Sequence, residues 1–103
     1  MPSWSQLGQD IGGFNTLGQR DFGNSVALSD DGYTLICGIK DSGINVASTR
    51  IFRYNDKNNV WNLLGNEIEG IGPADESGES TSMSSDGNIV AIGSNHQDAV
   101  RVF

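Results

Sequence analysis

Trp4-Ser5-Gln6-Leu7-Gly8-Gln9-Asp10-Ile11 and Trp61-Asn62-Leu63-Leu64-Gly65-Asn66-Glu67-Ile68 are two copies of one pattern, Trp-x-x-Leu-Gly-(Gln/Asn)-(Asp/Glu)-Ile, set 57 positions apart. Working outward, Gly23-Asn24-Ser25-Val26-Ala27-Leu28-Ser29-Asp30-Asp31-Gly32 matches Gly78-Glu79-Ser80-Thr81-Ser82-Met83-Ser84-Ser85-Asp86-Gly87 at an offset of 55. Arg50-Ile51-Phe52 matches Arg101-Val102-Phe103 at an offset of 51. Self-similarity at such a period marks a repeat architecture. The falling offset puts the length differences between the blocks, as expected if the blocks are strands and the gaps are loops.

The blocks have strand character. Ser25 to Ser29 alternates small polar with apolar residues, and Tyr33 to Ile39 is rich in apolar and β-branched types. Asp31-Gly32 and Asp86-Gly87 are hairpin-turn dipeptides in which Gly supplies the positive φ. The cluster Asn55-Asp56-Lys57-Asn58-Asn59 marks a second hairpin. No segment keeps a 3.6-residue apolar period, so little or no helix is expected. Strands are expected at 4–11, 24–29, 33–39, 49–54, 60–68, 79–84, 88–94 and 99–103.

Four-stranded antiparallel units at this period suit the blades of a β-propeller. The expected fold is therefore all-β, one two-blade unit over 1–103, with a complete blade at 22–68 and three strands of a second at 77–103. The strand at 4–11 has the sequence of the outer strand that the second blade lacks. A pair of blades leaves apolar faces and strand edges open, which favours association. The expected partner is the chain itself, as a trimer or tetramer of six or eight blades closed by exchange of 4–11. Trp4, Leu7, Ile11, Val100, Val102 and Phe103 are the expected assembly interface. The competing expectation is a piece of a longer propeller whose other blades are covalent.

Composition narrows the partners. Of 103 residues, 36% are hydrophobic, and the 14 glycines bring the chain near the ordinary globular level. Thirteen acidic residues against six basic ones give a net charge of −7, which opposes nucleic acid and anionic membrane surfaces. No window approaches the roughly 18 apolar residues of a membrane span. Cys37 is the only cysteine, which excludes an intrachain disulfide and a thiolate metal cluster.

Phe22-Gly23-x-Ser25-Val26-Ala27, with Asp31-Gly32, Leu35 and Gly38 following, resembles the FG-GAP class of propeller repeats known from the integrin α-subunit head. The resemblance covers both repeats and implies a propeller fold, protein or glycan ligands and an extracellular or cell-surface setting. It is partial. Ser77-Gly78 stands where the second repeat should open with Phe-Gly, and the Gly-Ala-Pro positions read Gly38-Ile39-Lys40 and Gly93-Ser94-Asn95. The family's calcium loop does not carry over, because Ser29-Asp30-Asp31-Gly32 and Ser84-Ser85-Asp86-Gly87 are too short and too poor in oxygen ligands. These turns also resemble those of Asp-box and Trp-Asp-repeat propellers, in which the acid orders the turn by bonding backbone amides.

Signs of catalysis are sparse. His96 is the only histidine, so no zinc constellation forms, and no Gly-x-Ser-x-Gly elbow or phosphate loop is present. No catalytic residue, metal or cofactor is expected. Asp75 and Glu79 are the acids that a propeller-based glycoside hydrolase, the alternative reading, would use. Trp4 and Trp61 hold equivalent positions and are candidates for a repeated platform under sugar rings. The expected function is a non-enzymatic binding or assembly module.

Overall fold

The computed structural model describes residues 3–12, 20–41, 48–69, 77–94 and 99–103. They form two antiparallel sheets with no helix among them. The first contains β1 (Arg20–Leu28), β2 (Thr34–Asp41), β3 (Ser48–Asn55), β4 (Val60–Leu63) and β5 (Ile68–Glu69), in the order β1-β2-β3-β4 with β5 also on β3. The second contains β6 (Ser77–Met83), β7 (Val90–Ser94) and β8 (Ala99–Val102), in that order. Neither sheet is closed.

The repeat is visible in the backbone. In both sheets the first hairpin carries a register shift at the Gly of the repeat, between Phe22 and Ser25 and between Ser77 and Ser80. Such a bulge adds twist and needs an adaptable residue, and Gly23 takes a φ of +82°. The turns that follow also match. Asp31 Oδ1 accepts the Ser29 hydroxyl at 2.6 Å and the Tyr33 amide at 2.9 Å, while Asp86 Oδ1 accepts the Ser84 hydroxyl at 2.7 Å and the Asn88 amide at 3.0 Å. Each acid orders its turn as its position suggests. The turns are longer than the two-residue type read from Asp-Gly, because Ser29 bonds Thr34 and Ser84 bonds Ile89 across the loop. Gly32 and Gly87 supply the positive φ, at +75° and +77°.

Strand β2 is apolar on consecutive residues because both of its faces are covered. On one face Cys37 joins Phe52, Tyr54 and Trp61 in a cluster. On the other, Ile36 of the first sheet meets Val90 and Ile92 of the second, with Ala27, Ile51, Ile68 and Met83 packed around them. Ile36 and Ile92 have no solvent exposure. The second cluster joins the two sheets.

Two expectations need correction. Within the single chain residues 4–11 are not a strand, and the second sheet has three strands among the described residues. The strand expected at 60–68 is broken into β4 and β5. Both departures share a cause. Gly65 and Gly8 occupy the same place in the repeat and both adopt left-handed φ, +76° and +77°, which interrupts an extended ladder.

Candidate assembly surfaces

Residues 3–12 lie on the Cys37 side of the first sheet. Gln9 grips the Trp61 backbone, its Nε2 donating to the carbonyl at 2.9 Å and its Oε1 accepting the amide at 2.9 Å. The Trp61 indole N–H donates to the Leu7 carbonyl at 2.9 Å, and the Gly8 amide donates to Asn59 Oδ1 at 3.0 Å. Tyr54 completes the group, its hydroxyl donating to Asn59 Oδ1 at 2.5 Å and its ring lying 5.2 Å from that of Trp61. Gly8 sits against this aromatic pair so closely that a Cβ there would lie 2.8 Å from Trp61 Cδ1.

Ile11 packs on the Cys37 cluster together with Leu35. Its repeat partner, Ile68, packs on the cluster that joins the two sheets, Ile36 with Val90 and Ile92, the last two being the repeat partners of Leu35 and Cys37. Both isoleucines of the repeated pattern thus cover a buried apolar cluster, Ile11 the one around Cys37 and Ile68 the one between the sheets.

The junction between the sheets is heterologous, meaning that unlike surfaces of the two repeats meet. The Asp30 amide donates to the Ser85 carbonyl at 2.8 Å, and Ser25 Oγ lies 3.0 Å from Thr81 Oγ1. Gly87 fits against the first turn, where a Cβ would come within 3.1 Å of Thr34. Each sheet thus has one face of each kind, and the junction uses one from each. On the first sheet the remaining face carries Val26 and Leu28, which share it with Cys37 and Leu35 and are 59% and 55% exposed. On the second, Val100 and Val102 share the outer face with Gly93 and Ala91 and are 69% and 66% exposed.

Comparison with protein-family models, curated proteins and solved structures returns no match.

The residues singled out in the sequence are placed as follows. Leu7, Val100, Val102 and Phe103 are exposed, and Ile11 is half-buried. Leu7 and Ile11 share the N-terminal segment, whereas the others lie on and beside β8, so the chain does not unite the six in one patch. Trp4 is 94% exposed, while Trp61 is buried beneath Gly8, so the two indoles differ in accessibility. Asp75 and His96 lie outside the described residues, and Glu79 is on β6. Among the described residues no group of three or more His, Cys, Asp or Glu is placed to hold a metal ion.

Sequence reading missed Gln9, Asn59, Val26 and Leu28. Gln9 is part of the repeated pattern, but its role depends on a backbone 52 residues away. Val26 and Leu28 are apolar at alternate positions of β1, which gives a signal for a covered face that the isolated chain leaves open.

Two arginines bear on the surfaces. Arg50 Nε pairs with Glu67 Oε1 at 2.6 Å, tying β3 to the segment between β4 and β5. Arg53 stacks 5.7 Å over the Tyr33 ring and donates to Thr34 Oγ1 at 2.6 Å. It borders an open groove of about 490 Å³ with Tyr33, Lys57, Asn62 and Leu63. The groove is shallow, and its guanidinium is already engaged by the fold.

Proposed function

We propose that the chain is a non-enzymatic assembly module of the β-propeller kind, in which like copies stack head to tail and close a ring by exchanging segment 4–11. The observation that carries this reading is that the repeat-matched Ile11 and Ile68 each pack on a buried cluster, the second of which joins the two sheets. We take a segment with the sequence of a blade's outer strand, packed on the Cys37 cluster, as the counterpart of the segment that packs on the cluster between the sheets. The two sheets are then the blades, and the junction between them is the template for the junction between copies. Matched bulges and matched Ser-x-Asp-Gly turns support FG-GAP-like blades of a common design.

Head-to-tail contacts that close give rings, whereas those that do not close give filaments. Stacking would cover Val26 and Leu28 of one copy with the outer face of another, removing apolar surface that is unfavourable in water. Light scattering at micromolar concentration tests the reading. The expected mass is three or four times 11.0 kDa, corresponding to six or eight blades. A folded monomer would overturn it.

A second role, binding of glycan or protein, is favoured by one observation, the 94% exposure of the Trp4 indole. Aromatic faces left open in this way are frequent in binding surfaces. A glycan array with the parent chain and Trp4→Ala tests it. Binding that disappears in the variant is the expected result, and no binding by the parent overturns a glycan role.

A further inference from the structure

The first sheet contains a worked example of what the second lacks. There β3 pairs with residues 60–69, with Phe52 opposite Leu63, Thr49 opposite Ile68 and Ser48 opposite Glu69. Between these contacts the Leu64 amide donates to the Ile51 carbonyl at 2.7 Å. The Arg50–Glu67 pair, 2.6 Å apart, closes the same stretch from the side. In the second sheet β8 repeats β3, since Arg101-Val102-Phe103 stands where Arg50-Ile51-Phe52 does. It pairs with β7 on one side, and among the described residues no strand lies on the other.

The sequence that would fill this edge is 4–12, in which Asp10 holds the place of Glu67. Within the chain it rests on the first sheet, held by Gln9 and Leu7 to Trp61. Arg101 meanwhile donates to the Glu69 carbonyl at 2.9 Å and lies 5.5 Å over the Phe103 ring. Pairing with a second chain requires no release of 3–12. Ile68 pairs with Thr49 in its own sheet while packing on the cluster of Ile36, Val90 and Ile92 that joins the two sheets, so an outer strand can pair within its sheet and still lie at the junction.

We infer that segment 4–12 of a second copy of this chain adds to β8 as an antiparallel fourth strand, in the register that 60–69 keeps with β3 and with Asp10 paired to Arg101. This deepens the assembly reading and rests on it. The register follows position by position. Gln6 comes opposite Phe103, Ile11 opposite Val100 and Gly12 opposite Ala99, and the Leu7 amide meets the Val102 carbonyl. The charges agree with this register, because an acid from one copy meets a base from the other at the position where Glu67 meets Arg50. The same addition brings the outer face of the second sheet, with Val100 and Val102, toward the open Val26 and Leu28 of its neighbour.

Cysteine pairing tests the register. Opposite residues on antiparallel strands have Cα atoms about 4.5–5.5 Å apart, within the range a disulfide spans. Full-length Gln6→Cys and Phe103→Cys chains, mixed and mildly oxidised, should give a covalent dimer containing a Cys–Cys peptide that joins the two substituted positions. An oligomeric mixture without that cross-link overturns the register while leaving the assembly standing. A monomeric mixture overturns both. The ion pair is tested by charge exchange. Asp10→Arg and Arg101→Asp should each weaken association by about tenfold or more, as expected when like charges are brought together at an interface, and the double variant should recover it. Equal association of all variants overturns the ion pair, and recovery in the double variant excludes misfolding as the cause of the single losses.

Discussion

The Asp30 amide donates to the Ser85 carbonyl at 2.8 Å, and these two residues hold the same position in the two repeats. A bond between equivalent residues that runs in one direction is the mark of a contact able to propagate. Around it Ile36, Val90 and Ile92 are almost fully buried, so the junction is a core shared by both sheets rather than a hinge. Ile92→Ala should therefore destabilise the whole chain, by about 2–5 kcal/mol for a fully buried Ile. Urea unfolding monitored by circular dichroism checks this, and a single transition at lower midpoint is the expected form.

Gly8→Ala should detach the N-terminal segment. Its φ of +77° is strained for a residue with a side chain, and the added Cβ would lie 2.8 Å from Trp61 Cδ1. The conformational part alone costs about 1–2 kcal/mol. Since Trp4 is already exposed, a red shift in tryptophan emission would report Trp61 becoming wet. Unchanged emission and stability would show that Gly8 is not what seats the segment.

Thr49→Val should leave stability unchanged or raise it by up to about 1 kcal/mol. The Thr49 hydroxyl is buried without a hydrogen-bond partner among the described residues, and leaving such a group unpaired is costly. The second repeat already has Val100 at this place. Thermal unfolding of the variant checks the prediction, and a lowered midpoint would reveal a bond that the hydroxyl makes.

Acid should loosen the two Ser-x-Asp-Gly turns. The Ser29 hydroxyl first, and then the Tyr33 amide, hold the Asp31 carboxyl below its ordinary value of 3.8. The Ser84 hydroxyl and the Asn88 amide do the same for Asp86. A carboxylate whose pKa is depressed by folding contributes stability that is fully present above the unfolded value and is lost as pH falls through the folded one. Stability should thus decline below about pH 4, and Asp31→Asn with Asp86→Asn should flatten that decline. An identical acid profile in the double variant would assign the decline to other groups.

Cys37 should resist thiol reagents in the native state. Burial beside Phe52 and Trp61 pushes its thiol up to about 11, so little thiolate forms at neutral pH. Reaction with a disulfide reagent at pH 8 should be slow in buffer and fast in denaturant. Rapid native reaction would mean that the cluster opens readily.

Much of the fold was legible from local signals. The repeated blocks placed most strands because alternating and β-branched residues suit a pleated sheet, and Asp31 and Asp86 announced their turns through contacts within two residues. Where the N-terminal segment lies within its own chain was not legible, for a physical reason. Its sequence matches an outer strand, but Gly8 turns left-handed and within this chain the segment meets an aromatic face rather than a strand edge. The surfaces were only half legible, since alternation shows that Val26 and Val102 belong to a face without showing which surface covers it.

The sequence by itself determined the twofold repeat, the all-β character, the turn chemistry and the acidic charge, because each depends on neighbouring residues or on a simple count. Only the tertiary structure decided where segment 3–12 lies, which faces of the two sheets meet and which remain open. Those outcomes depend on contacts between residues about 50 positions apart, such as Gln9 with Trp61 and Asp30 with Ser85. Periodicity cannot choose among such pairings, because every apolar strand face offers the same pattern until packing and backbone hydrogen bonds distinguish one partner from another.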